Sequence, residues 1–396
     1  MAYLKNSAVN FLNLHYGLHA LVMNGAGVFW VVYLLKAGVP VPAVFAALAL
    51  LLAGRFIFRP MILLLAPRFG LRALVAFGTI FSALQYLFLA EVRGVDLMLV
   101  AVCVVGAIGD TFYWTCYHAY FAALGDSEHR GKQIGTREAI ASLTAIVGPL
   151  IGGWALVTLG PRAAFGAATV VHALAALPFF FTPDVRVKRE APGAFWSALP
   201  SVLMFASDGW IVAGYLFAWQ IALFVTLGES FTAFGGALAL AALVGAVAGL
   251  LLGKYIDGGR GVRAVWLSFG SLAAVTVLRA ISVDAVAMAI VANALGALAI
   301  CLYMPTLMTS VYNQAKSSPC PLRFHVATEG GWDIGGASGC IAAATLSALG
   351  APLSYSILLS LAGCGLGLFL LRRYYSGIGT ISEAPSTEPA GGFAAS

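Results

Sequence analysis

Residues 231–252 read FTAFGGALALAALVGAVAGLLL, an apolar run with no charged side chain. A helix rises about 1.5 Å per residue and the hydrocarbon core of a bilayer is about 30 Å thick, so a run of this length can cross it. Outward from this stretch the same kind of run recurs along the whole chain. Breaking it at charged, Pro and Gly clusters predicts twelve helices, at 11–35, 41–66, 73–90, 97–124, 139–159, 163–181, 200–227, 231–252, 264–283, 285–311, 326–349 and 352–371. The composition agrees: the 396 residues are 61% hydrophobic and 10% charged, with a mean hydropathy of +0.93. A soluble globular protein carries about 25% charged residues, so a water-soluble enzyme of ordinary type is excluded. Long apolar runs, in place of alternating ten-residue segments, predict an all-α membrane protein and not an outer-membrane barrel.

The formal charge of +6 does not imply nucleic acid, because in such a chain the distribution of Lys and Arg over the loops carries the information. With both termini cytoplasmic, the inside segments hold sixteen of the 22, and the outside segments hold Lys36, Arg93, Arg162 and Arg279. Arg55 and Arg59 fall within the second span. The first apolar stretch carries His15 and His19 and no small-residue cleavage site follows it, so it is expected to remain as a helix. Residues 376–396 are too poor in apolar side chains to pack and are expected to form a disordered tail. The six cysteines include no CxxC pair, which indicates neither a disulfide framework nor a zinc motif.

The two halves superpose in sequence at an offset of 190 to 191 residues. Gly38 falls on Gly228, Pro67 on Asp257, Gly70 on Gly261, Arg72 on Arg263, Glu138 on Glu329 and Gly148 on Gly339. This predicts a six-helix bundle over 1–182, a basic cytoplasmic linker over 183–199 and a second six-helix bundle over 200–375. The segment after the eighth span reads Gly253-Lys254-Tyr255-Ile256-Asp257-Gly258-Gly259-Arg260-Gly261-Val262-Arg263. It resembles the signature cytoplasmic loop of the major facilitator superfamily. The first-half counterpart, Ala66 to Arg72, has Pro67 where the family usually has Asp. Gly148-Pro149-Leu150-Ile151-Gly152-Gly153 in the fifth span resembles the antiporter motif of the export branch, with Thr144 in place of one of its glycines. The resemblance implies the major facilitator fold, with Asp257, Arg260, Arg263, Gly148 and Pro149 in gating.

An ionisable side chain within the hydrocarbon costs about 3 kcal/mol or more, so each such residue is a functional candidate. Arg55 and Arg59 share one face of the second helix and would suit a carboxylate-bearing solute, or pair internally with Glu138 or Asp110. Asp110, Trp114, Tyr117 and His118 share a face of the fourth helix and can combine proton exchange with solute contact. Asp208, Tyr215, Trp219 and Gln220 in the seventh helix, and Glu329, Trp332 and Asp333 in the eleventh, place carboxylates beside aromatic rings. Arg55, Arg59, Trp114, His118, Tyr215, Trp219 and Gln220 are therefore candidates for the solute, and Asp110, Asp208, Glu138, Glu329 and Asp333 for protons. Glu138 and Glu329, equivalent in the repeat, are expected to pair with Arg near the cytoplasmic helix ends. His15 and His19 at i and i+4 offer an alternative metal site, which needs a third ligand.

The reading is a secondary active transporter and not an enzyme, moving a small organic solute by alternating access, with proton-coupled efflux favoured. No Walker-type loop is present to hydrolyse ATP. Uptake of an organic anion, transport of a metal ion or chelate, and a sensor or membrane enzyme on the same fold are the alternatives. A monomeric, multi-pass protein of a bacterial inner membrane is expected, with solute, protons and lipid as its partners, no nucleic acid and no cofactor.

Overall fold

The computed structural model describes residues 6–124, 130–187, 193–256 and 261–382. They form an all-helical, multi-pass membrane fold. Twelve helical units run in order: α1 (Ser7–Lys36), α2 (Val41–Phe58), α3 (Pro60–Leu89), α4 (Leu97–Leu124), α5 (Arg130–Thr158), α6 (Pro161–Phe181), α7 (Ala194–Thr226), α8 (Phe231–Ile256), α9 (Gly261–Ile281), α10 (Val286–Ser317), α11 (Pro321–Ala348) and α12, which joins Leu353–Leu358 to Ser360–Ser382. Eleven of the helices are both long and apolar enough to cross a membrane. The exception is α11, equally long but carrying Arg323, Glu329 and Asp333.

Several boundaries differ from the sequence reading, each for a local reason. Pro60 lacks an amide hydrogen, so the second span is interrupted at Arg59 and resumes over 60–69. Gly70 then turns the chain with φ 81°, a conformation that glycine adopts without steric penalty, and 71–89 return across the bundle. The missing Asp of the first-half loop is made good from elsewhere in the chain. Asp184, just beyond α6, accepts from the Arg72 amide at 3.3 Å, while Val185 O accepts from the Leu71 amide at 2.8 Å. Helix α7 begins at Ala194, so the linker is shorter than 183–199. Residues 376–382 continue α12 as helix and are not part of a disordered tail; 383–396 lie outside the described residues.

Burial divides the molecule along its long axis. At the end that holds the connections 37–40 and 227–230, one apolar core runs through both halves, from Phe29, Phe45 and Leu52 to Trp219, Phe224 and Phe234. Toward the end that holds the termini it separates into two. One cluster, around Leu12, Ile62, Tyr113 and Tyr120, belongs to the first half and reaches the second through Leu322 and Val326 of α11 and the adjoining Cys320. The other, around Phe269, Leu272, Tyr303 and Val311, belongs to the second half. We call these the far end and the terminal end. Helices α2 and α11 lie antiparallel side by side across the junction between the halves, passing from the shared core into the divided region.

Candidate functional site

Where the shared core ends, α2 and α11 become charged. One turn beyond buried Leu52 come Arg55 and Arg59; preceding buried Ala337 on α11 come Glu329 and Asp333. Both pairs are spaced i, i+4, so each lies on one helical face, and antiparallel packing sets the two faces against each other as a ladder. Arg55 Nε stands 2.9 Å from Asp333 Oδ1. Arg59 Nε donates to Asp333 Oδ2 at 2.9 Å, Nη1 donates to Glu329 Oε2 at 2.6 Å, and Nη2 pairs with Asp333 as well. Thr115 of α4 closes the group, accepting from Arg59 Nη1 at 2.7 Å and donating to Glu329 Oε2 at 2.8 Å. Asp110 of α4 lies 3.8 Å from Arg55 Nη1, the loosest pairing of the set. Arg59 is 2% exposed, so these are buried charges whose desolvation must be met by good geometry.

A second carboxylate site adjoins the first. Asp208 of α7 accepts from Tyr303 Oη of α10 at 2.6 Å and from Trp332 Nε1 of α11 at 2.9 Å. It forms no ion pair within 4 Å among the described residues. The Trp332 ring has the Arg55 guanidinium carbon 5.1 Å from its centroid. One indole thus joins Asp208, through its N–H, to Arg55, through its π face. The arrangement ties the two halves together through the Arg55 and Arg59 pairs with Asp333 and Glu329, while Asp208 is held within the second half.

Other candidates fall elsewhere. Glu138 does not join Arg55; it is exposed and has the arginine expected of it in its neighbour Arg137, at 2.6 Å. Of the two counter-charges expected for Arg55, Asp110 is present and Glu138 is not. Tyr215, Trp219 and Gln220 are buried within the second half. Tyr215 and Trp219 enclose Arg279, whose guanidinium carbon is 4.1 and 4.9 Å from their ring centroids. Arg279 itself, counted with the outside segments from sequence, is a buried residue of α9 and donates from Nη1 to Tyr215 O at 2.6 Å. That carbonyl belongs to a π turn, Ala213–Ala218, that interrupts α7. Trp114 and His118 stack on one another at 5.8 Å on α4, both partly buried.

His15 and His19 lie buried in the first half, and His172 of α6, which the sequence did not single out, joins them. Among the described residues no three His, Cys, Asp or Glu side chains are grouped to hold a metal ion. Gly148 and Gly152 bring α5 against α1, since a Cβ on Gly148 would stand 2.8 Å from Asn24 Cβ and one on Gly152 would overlap Gly25 O. Gly153 meets α8 in the same way, 2.6 Å from Phe231 O, and Pro149 O faces Gly235 of α8. The motif therefore occupies the junction between the halves. Asp257 and Arg260 lie outside the described residues; Arg263 is exposed at the start of α9. Thr115, Tyr303, His172 and Arg279 were missed. Only Arg279 carried a usable signal, a charge within three residues of an apolar helix end.

Comparison with known proteins places this geometry. The family model of the Major Facilitator Superfamily matches residues 12–319. No curated protein matches the chain. Among solved structures, the human organic anion transporter MFSD10 (TETRAN) superposes with a TM-score of 0.67 at 18% identity, covering 92% of this chain and 99% of that one. An auto-inhibited POT family peptide transporter gives 0.65 at 13%, covering 98% and 99%. The POT family transporter PepTSo gives 0.65 at 11%, covering 95% and 99%. At these identities the likeness is one of fold. With the family model spanning most of its length, the chain belongs to the major facilitator superfamily and is a transporter.

Proposed function

We propose that the protein is a proton-coupled secondary transporter that exports a small organic solute by alternating access. The observation that carries this reading is a charge imbalance at the junction of the halves. Two guanidiniums, Arg55 and Arg59, face three carboxylates, Asp110, Glu329 and Asp333, and Asp208 beside them has only neutral donors. Two carboxylates therefore lack a cation of their own. An unpaired buried carboxylate is favoured in its protonated form, so a proton can be taken up here and given back when the surroundings change. Because Arg59 ties α2 to α11, protonation of its partners would loosen one half from the other, and that is the coupling an alternating-access carrier needs.

The excess of Lys and Arg in the segments at the terminal end supports a cytoplasmic location for both termini. The Gly148-Pro149 motif, seated between α1, α5 and α8, supports the export direction through its likeness to the antiporter motif. Arg55 and Arg59 are occupied by acids, so they act first on protons and only through them on solute.

The test is proton movement in proteoliposomes with a pH-sensitive dye inside. Peptides and organic anions, the cargoes of the structurally similar transporters, are added first, then organic cations and divalent metals. Solute-dependent proton flux that is lost in Asp110→Asn and Asp208→Asn supports coupled transport. Solute flux without proton movement in the wild type would overturn it.

A further inference from the structure

We infer that a cleft between α1, α5 and α6 is a binding site for one acyl chain of a membrane phospholipid, in the leaflet at the far end. The inference goes beyond the transport reading and uses none of its assumptions about protons or solute. The cleft encloses a cavity of about 160 Å³. Its floor is formed by Val22 and Ala26 of α1, Leu156 of α5 and Phe165 of α6, all buried. Its rim carries Ile151 and Leu159, which are 50% and 54% exposed. Every lining residue is apolar or glycine.

The cleft follows from the side chains of the three helices. Gly148 and Gly152 seat α5 close on α1, against Asn24 and Gly25. Alongside them α6 presents Ala164, Ala167 and Ala168, short side chains that leave space between α5 and α6. A wall without polar groups does not hold water, which needs about two to four polar partners. In general, a cavity of about 150 Å³ lined by Leu, Ile and Phe stays dry and takes in a molecule the size of benzene.

The surroundings of the mouth decide the occupant. Trp154, Val157 and Val170 are exposed on α5 and α6 and lie within membrane-spanning segments, so the rim is continuous with the surface that the protein presents to the bilayer. The length of the cleft agrees. Its lining residues run along α5 from Gly148 to Leu159, just past the helix end. Eleven steps (148 to 159) of about 1.5 Å each make about 16 Å, directed toward the far end. The hydrocarbon of one leaflet is about half of 30 Å deep. A single chain that enters from the far end can therefore lie along the cleft with its tail beside Gly148.

No hydrophobic force drives a lipid tail onto a membrane helix, because the tails are as apolar as leucine. Close packing supplies the preference: a void gives its lining no partner atoms on one side, and an acyl chain provides them along all three helices. The effect reaches the junction of the halves. Gly148 and Gly152 line the cleft, and the adjoining Pro149 and Gly153 meet α8. A bound chain thus braces α5 where that helix is held between α1 and α8.

The test uses the full-length protein in proteoliposomes containing a phospholipid with a photoreactive diazirine near the end of one acyl chain. Adducts formed on irradiation are located by peptide mass spectrometry. Cleft residues such as Val22, Ala155 and Phe165 should carry at least five times the adducts found on Trp154 and Val170, which are exposed but do not line the cleft. Ala168→Phe and, separately, Ala155→Leu place bulk in the cavity and should reduce the cleft adducts at least fivefold, whereas Val170→Phe should leave them unchanged. Adducts spread evenly over the exposed faces of α5 and α6, or undiminished in both filled variants, would overturn the site. Loss of the cleft adducts on adding a transported solute would assign the cleft to the solute and overturn it as well. Stripping phospholipid by detergent exchange should raise the unfolding rate of the wild type at least threefold and that of Ala168→Phe by less than half as much. An equal rise in both would overturn the bracing of α5. Failure of coupled export in flux assays would leave these results standing, since no step of the test requires transport.

Discussion

Replacing Arg59 by Met tests whether the ladder between α2 and α11 holds the halves together. The substitution keeps an unbranched side chain of fair length but removes the bonds to Asp333 at 2.9 Å, Glu329 at 2.6 Å and Thr115 at 2.7 Å. Glu329 then has no cation within 4 Å among the described residues, and Asp333 retains only Arg55. Removing one partner of a buried pair costs about 3–5 kcal/mol, because the remaining charge stays desolvated. At about 1.4 kcal/mol per decade, the lower figure is a roughly hundredfold effect. Large membrane proteins seldom refold reversibly, so the rate of unfolding in detergent at fixed temperature is the suitable measure, and we expect it to rise by at least tenfold. Glu329→Gln in the Arg59→Met background should recover part of the loss, giving a double-mutant coupling of about 1.5 kcal/mol or more. An Arg59→Met protein that unfolds at the wild-type rate, or a cycle that is additive within about 0.5 kcal/mol, would refute the argument.

Asp208→Asn keeps an oxygen to accept from Trp332 Nε1 and turns an NH2 donor toward Tyr303 Oη, which can accept, but it cannot release a proton; counterflow of solute should persist while uphill transport driven by a pH gradient is lost. Gly152→Ala would place a methyl group on Gly25 O and force α1 from α5, lowering stability by about 1–3 kcal/mol, whereas Gly166→Ala, with nothing within 4 Å, should match the wild type in the same unfolding assay. Asp96, in the connection before α4, caps that helix, accepting from the Leu99 and Arg93 amides at 2.9 Å each. Slight burial pushes its carboxyl up, but the amides outweigh this and hold it below the usual carboxylate range. A depressed folded value means that the cap stabilises above about pH 4 and is lost as pH falls through the folded value. Asp96→Ala should therefore cost about 1 kcal/mol at neutral pH and progressively less in acid.

The charges of the site were legible in the sequence, and their pairing was not. Arg55 and Arg59 stand out because hydrocarbon penalises them wherever they point, and their i, i+4 spacing sets them on one face. Their partners lie about 270 residues away, at Glu329 and Asp333. Glu329 and Asp333 carry the same i, i+4 spacing, so the ladder was written twice, but periodicity does not say which helix faces which. Glu138 and Glu329 each meet an arginine, but Glu138 meets its neighbour Arg137 and Glu329 meets Arg59 of the other half, since equivalence in sequence fixes position within a half and not contact across the junction. Arg279 was assigned to the outside segments because a charge near a helix end can turn either way. Its direction is set by the Tyr215 carbonyl at the π turn of α7, and such a turn leaves no mark on a hydropathy pattern. His172 sits among Val and Ala and signals nothing until α6 meets α1.

The far end poses the question of what keeps the halves joined there, and two candidates can be separated. An ion pair, Lys36 with Glu229 at 2.9 Å, crosses between the halves, but its side chains are 40% and 49% exposed. Exposed pairs contribute about 0–1 kcal/mol and are screened by salt. Directly inside it, Phe29 of α1 meets Phe231 and Phe234 of α8 at ring separations of 6.0 and 5.7 Å, and Phe224 of α7 packs on the same pair. Phe234 is fully buried, and truncating such a ring to Ala costs about 3–5 kcal/mol. The closed far end therefore rests on the aromatic seam. With a cysteine placed at Thr232, beside the seam, Phe234→Ala should raise the rate of labelling by an impermeant maleimide at least tenfold. Lys36→Ala should change it less than threefold and make it insensitive to salt. A larger effect from Lys36→Ala than from Phe234→Ala would mean that charge, and not apolar burial, closes this end. Opening would then have to break the same kind of bond at the far end as in the Arg59 ladder, and one protonation could no longer act on the ladder while leaving the seam intact.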